Sequence, residues 1–161
     1  MQLGQSAAAR QDFDKALQLA PADIETYELR ARLLRLSGYF QDSLADYGRI
    51  IELHPTAEAC AGRASCSREL GKLPEALADF KLAVAMNPIV DHYLQQGLTF
   101  QQVKDFPQAL QSFSKAIKLR PDEPYAYRSR AFVKEYLGDK VGARADRDKA
   151  ASLERLGQGK S

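Results

Sequence analysis

The residues able to do chemistry are few and poorly spaced for it. His54 and His92 are the two histidines and stand 38 residues apart. No cysteine or carboxylate cluster joins them, so neither a histidine-activated nucleophile nor a zinc site has its parts. Cys60 and Cys66 are six residues apart, and on one helix that is a rise of about 9 Å, beyond the ~7 Å Cα separation that a disulfide tolerates. They read as small interior residues of a reduced, intracellular protein, and a cytoplasmic location is expected. Asp12 with Asp14, and Asp146 with Asp148, lie two residues apart and on helices face different ways, which rules out an acid/base pair. The closing Gly157-Gln158-Gly159-Lys160-Ser161 imitates the end of a phosphate-binding loop. Glu154, however, stands where that loop needs its first glycine, and no helix follows Ser161. No catalytic residue, metal or cofactor is implied, and the chain is not expected to be an enzyme.

The bulk numbers describe an ordinary folded chain. Of 161 residues 45% are hydrophobic and 27% charged, for a net charge of +2, too small to argue for nucleic acid or an anionic membrane. Residues 1–119 carry 13 basic against 14 acidic side chains and residues 120–161 carry 10 against 7, a mild basic bias of the last quarter. No apolar run approaches the ~18 residues of a membrane span, and the first ten residues lack the basic leader and apolar core of a secretory signal.

What must position any binding residues is a repeat. Four similar segments end in proline: Asp12 to Pro21, Asp46 to Pro55, Asp79 to Pro88 and Ser112 to Pro121, at spacings of 34, 33 and 33 residues. Between them, Gly38, Gly71 and Gly138, with Lys104 in the remaining place, fall between two apolar-periodic stretches and predict a turn. Pro74 and Pro107 suit the start of a second helix, and the closing prolines forbid it to run on. Small residues recur where helices must approach: Ala31, Ala64, Gly97 and Ala131 on the first helix, Ser43, Ala76, Ala109 and Ala143 on the second. Tyr27, Tyr93 and Tyr127, with Phe40, Tyr47, Phe80, Phe106 and Phe113, are expected to fill the space between.

A two-helix unit of about 34 residues with these small, aromatic and proline positions resembles the tetratricopeptide repeat. The resemblance covers four full units, 24–56, 57–89, 90–123 and 124–156, with a tail at 157–161. A half unit, 1–23, precedes them, in which Gly4, Ala9, Phe13, Ala16 and Pro21 match the turn and second helix. It implies an all-α, right-handed α-solenoid of about nine helices. Met1 is expected to mark a boundary within a longer array, leaving the second helix of that truncated unit without its first helix and with an open face available for self-association. In the last unit Lys134, Lys140 and Arg147 replace apolar residues, the polar outer surface expected of a terminal repeat.

Such an array implies a concave groove lined by the first helices, where positions 2, 5, 9 and 12 of each unit share a face. The residues expected there are Glu25, Glu28, Arg32, Arg35 and Arg68 on the first two units, then Leu94, Leu98, Gln101, Arg128 and Phe132. The acidic residues form one edge and the arginines another, with Leu94, Leu98 and Phe132 open between them. Acidic residues at helix starts and arginines near helix ends also suit the helix dipole, whatever binds. The carboxylate clamp by which some family members hold chaperone tails is not supported, because Glu28, Arg32, Gly62, Asp91 and Gln95 occupy its positions. A ladder of backbone-binding asparagines is absent too, since Leu29, Gly62, Gln95 and Ser129 stand there.

The expected function is a protein–protein interaction scaffold holding a peptide segment of a partner in the groove. The alternatives are single-stranded RNA binding by helical repeats, disfavoured by the balanced charge, or the targeting arm of a larger enzyme.

Overall fold

In the computed structural model the period resolves into paired helices. The backbone is described for residues 2–158 and side chains for 8–157. Nine helices and no strand occur among the described residues: α1 Gln2–Leu19, α2 Ile24–Leu36, α3 Phe40–Leu53, α4 Ala57–Glu69, α5 Leu73–Met86, α6 Val90–Gln102, α7 Phe106–Leu119, α8 Pro124–Tyr136 and α9 Lys140–Gln158. They group into two compact units, α1–α5 and α6–α9. In the first, α2/α3 and α4/α5 form hairpins, with α1 packed on α2 and α3 on α4. In the second, α6/α7 and α8/α9 are the hairpins, joined by α7 on α8.

Each hairpin exists because its two helices approach closely. Ala31, Ser43, Ala64, Ala76, Ala109 and Ala143 are fully buried, and the lack of side-chain bulk there lets the backbones close up. Gly97 shows how close: a Cβ on it would come within 2.6 Å of the Phe113 ring. Ser43 also donates its hydroxyl to the Ala31 carbonyl at 2.7 Å, tying α3 to α2. The closing prolines serve as acceptors. Tyr127 donates its hydroxyl to the Pro121 carbonyl at 3.1 Å, as Tyr27 does to Pro21 at 3.4 Å.

One expectation is corrected. Gly4 stands at a turn register, but α1 runs through it from Gln2, since one interior glycine costs a helix only ~1 kcal/mol. Of the tail 157–161, Gly157 and Gln158 extend α9, and Gly159, Lys160 and Ser161 lie outside the described residues. Both cysteines are buried on α4 as unpaired thiols, and burial pushes both up from their usual range.

The four hairpin turns share one backbone design. Tyr39, Lys72, Asp105 and Asp139 each donate an N–H to the carbonyl five residues back, and Gly38, Gly71, Lys104 and Gly138 to the carbonyl three back. This closure needs a left-handed residue after the helix end. Gly38, Gly71 and Gly138 provide it at φ of 81°, 74° and 86°, whereas Lys104 is forced to 62°. A β-carbon in that region costs about 1–2 kcal/mol, partly offset by glycine's larger unfolded-state entropy. Lys104→Gly should therefore stabilise the chain by up to about 1 kcal/mol, read as a higher melting temperature. A lower one would show that Lys104 contributes something beyond the turn.

Candidate functional site

In the first unit the outward face of the first helices belongs to α2 and α4, which touch directly. Glu25, Glu28 and Arg32 are exposed on α2. Glu28 and Arg32 border a recess of about 240 Å³, completed by Tyr47, Thr56, Glu58 and Ala59. Tyr47 reaches the recess from α3 because Gly62 leaves room: a Cβ on Gly62 would stand 2.4 Å from the Tyr47 ring. Thr56 starts α4 by accepting from the Ala59 N–H at 3.1 Å.

The three arginines expected on this face divide. Arg35 is half-buried, and its guanidinium opposes the upward push that burial gives the Tyr47 phenol. The Arg35 Nε is buried without a hydrogen-bond partner. Arg68 lies over the Phe80 ring, 5.9 Å from its centroid, and within 3.8 Å of Glu69. Only Arg32 of the three stands open to solvent. Helical position alone could not separate them, because the covering rings come from α3 and α5.

In the second unit the same face belongs to α6 and α8, again in contact. Leu94 is only 6% exposed and Leu98 half-buried, so neither is the open apolar wall the sequence suggests; these two aliphatic side chains are drawn inward, out of water. Gln101 is half-buried as well. Phe132 and Tyr125, by contrast, are 55% and 43% exposed on α8. Seven residues apart, they share a stripe with Arg128, whose guanidinium pairs with Glu154 at 2.8 Å. Tyr125 stands at position 2 of its unit, on the shared face and two turns before Phe132.

The first helices are braced by buried ion pairs that sequence reasoning missed. Arg30, Arg63 and Arg130, at position 7 of their units, each make a two-pronged contact with an aspartate sixteen residues on: Asp46, Asp79 and Asp146, at 2.6–2.8 Å. The third hairpin replaces the pair by a neutral one, Ser112 donating to Gln96 Oε1 at 2.9 Å. The recurrence of Arg and Asp at this spacing was the available signal. Removing one partner of such a pair costs roughly 3–5 kcal/mol. Asp146 also receives Lys134 Nζ at 2.9 Å, and Arg147 pairs with Glu135, so two of the polar substitutions expected of a terminal repeat are engaged in the structure. His92 is buried with Nδ1 2.8 Å from the Asn87 carbonyl. Among the described residues no three His, Cys, Asp or Glu side chains converge as a metal would require, and no helix is long and apolar enough to cross a membrane.

Two family models described as tetratricopeptide repeat match the chain, one over residues 28–88 and the other over 1–23 and 91–123. No curated protein gives a significant match. Among solved structures, a crystal structure of MamA superposes with a TM-score of 0.92 at 22% identity, covering 98% of this chain and 94% of that one. MamA from Desulfovibrio magneticus RS-1 gives 0.88 at 19% identity, over 96% and 89%. YrrB, described as a TPR protein with an unusual peptide-binding site, gives 0.81 at 16% identity, over 96% and 80%. At such identities the likeness establishes a shared helical-repeat fold.

The bracing pair at Asp146 sets a pH dependence. Burial works against the charged Asp146, yet Arg130 and Lys134 outweigh it and hold its carboxyl below the usual carboxylate range. A depressed carboxyl stabilises the fold above its unfolded value, near ~3.9, and that contribution disappears as pH falls through the lower folded value. Asp146→Asn should lower the melting temperature at pH 7, and the gap to the parent should narrow as pH falls below ~4. A gap independent of pH would remove the ion pair from the account.

Proposed function

Because the chain belongs to the tetratricopeptide repeat family, we propose that it is an interaction scaffold whose first-helix faces hold a peptide segment of a partner protein. The observation that carries this reading is the exposed stripe of Tyr125 and Phe132 on α8. Two aromatic rings on one solvent-facing stripe, absent from the core and from the turns, are costly in water and favour association. The partner segment would set an apolar side chain on Phe132 and Tyr125. In the first unit, taken by itself, the recess beneath Glu28 and Arg32 is a separate place for a polar or charged side chain, with Arg32 offering the open guanidinium. Peptide binding is also what the description of YrrB records for that protein, which has the same fold.

Burying one exposed phenyl ring is worth about 1.5–3 kcal/mol at full burial, whereas an exposed ion pair contributes about 0–1 kcal/mol. The apolar contact should thus dominate affinity, and Arg128, exposed on the same α8 stripe, should act more on the rate of encounter. The test is selection of peptides from a displayed library on the full chain, followed by titration of the best binder. Phe132→Ala should weaken it by about tenfold. Arg128→Glu should weaken it less and slow association, and Lys81→Glu, exposed on α5, should leave it unchanged. Equal binding by all three variants would place the peptide away from the first-helix faces.

A further inference from the structure

A second kind of recess recurs beside the buried Arg–Asp pairs, away from the first-helix face. Around the Arg30–Asp46 pair it holds about 160 Å³; around the Arg63–Asp79 pair it holds about 380 Å³. The two are the same place in the repeat. Arg10, Leu34 and Asp42 line the smaller one, and the residues at their positions one repeat later, Leu44, Ser67 and Glu75, line the larger. In the larger recess Leu34 is replaced by Ser67 and Arg10 by Leu44, both smaller side chains.

In the other aspartate-bearing hairpins a second cation stands at this place. It lies on the aspartate itself in α8/α9 and beside it, on Asp42, in α2/α3, where among the described residues Asp46 accepts from Arg30 alone. In α8/α9, Lys134 stands at the position of Ser67 and sends its ammonium to Asp146 Oδ2 at 2.9 Å and the Gly142 carbonyl at 3.4 Å. In α2/α3, Arg10 lines the recess and pairs with Asp42 at 2.7 Å. In α4/α5 both donors are gone, replaced by Leu44 and Ser67. Among the described residues Asp79 accepts from Arg63 alone, one hydrogen bond of 2.7 Å on each oxygen. A carboxylate oxygen accepts two, and on Asp146 Oδ2 the second place is the one Lys134 fills.

We propose that the recess over Asp79 is a binding site for a lysine side chain of a partner protein, which seats there as Lys134 seats on Asp146. The aliphatic stem would lie along Leu44 and Ala78, and Glu75 would stand at the mouth as an exposed counter-charge. Lys72 at the rim occupies the position of Asp139 and makes no ion pair among the described residues; it is the one internal competitor. The site does not depend on the first-helix face, so Phe132→Ala should leave it intact.

The test is NMR titration of the full chain with an acetylated, amidated Ala-Ala-Lys-Ala-Ala peptide and its norleucine analogue. The lysine peptide should shift the amides of Ser67, Glu75 and Asp79, with the norleucine peptide at least about tenfold weaker. Glu75→Gln should weaken the lysine peptide. Ser67→Lys should supply the ammonium internally, raise the melting temperature and abolish the shifts. Equal response to both peptides, no response at these amides, or filling of the recess by Lys72 (binding that emerges only in Lys72→Ala) would overturn the proposal. So would a Ser67→Lys variant that folds but melts several degrees lower.

Discussion

Close approach of the two helices in each hairpin is the constraint on which the rest depends. Where Ala31 meets the level of Ser43, or Gly97 meets the Phe113 ring, there is no space for another methyl group. That contact fixes which faces point inward, and so which positions of α2, α4, α6 and α8 remain outside to meet a ligand. It also explains why polar groups can be buried here at all. Helices held at this distance bring position 7 of one to position 23 of the other, close enough for guanidinium and carboxylate to satisfy each other's hydrogen bonds.

The repeat and its turns were legible because they rest on local chemistry. Glycine at Gly38, Gly71 and Gly138 answers a left-handed backbone, and proline at Pro55, Pro88 and Pro121 answers a helix end; both signals are readable without knowing any neighbour. Lys104 was placed at the same turn by register alone, and the structure holds it in the same conformation despite its β-carbon. Gly4 misled because it fell at a turn register in a segment that continues as helix.

The face expected to bind was harder to read, for a physical reason. Helical periodicity says which way a side chain leaves its own helix, not what the next helix places beneath it. Arg32, Arg35 and Arg68 look alike on a helical wheel, yet Tyr47 lies under Arg35 and Phe80 under Arg68. Leu94 is drawn inward while Phe132, at a neighbouring position one repeat later, stands out in solvent. The bracing pairs were hidden differently: their spacing of sixteen spans a turn, beyond the reach of the three- and four-residue rules that relate side chains on one helix.

Arg30 has one more property. Besides Asp46 on its own hairpin, it donates to Asp14 on α1 at 2.5 Å, and Arg130 likewise reaches back to Ser114 on α7 at 3.2 Å. The residue in that place before Arg63 is Gly48, which has nothing to offer. In a one-dimensional array, stability divides into what each hairpin holds by itself and what it shares with its neighbour. At Arg30 and Arg130 a single guanidinium belongs to both terms, so fraying of one element is felt at once by the next. At Gly48 that shared guanidinium contact is absent, and the seam between α3 and α4 is held by other means: the Tyr47 ring fills the space over Gly62, and Cys66 Sγ donates to Ser43 Oγ at 3.3 Å.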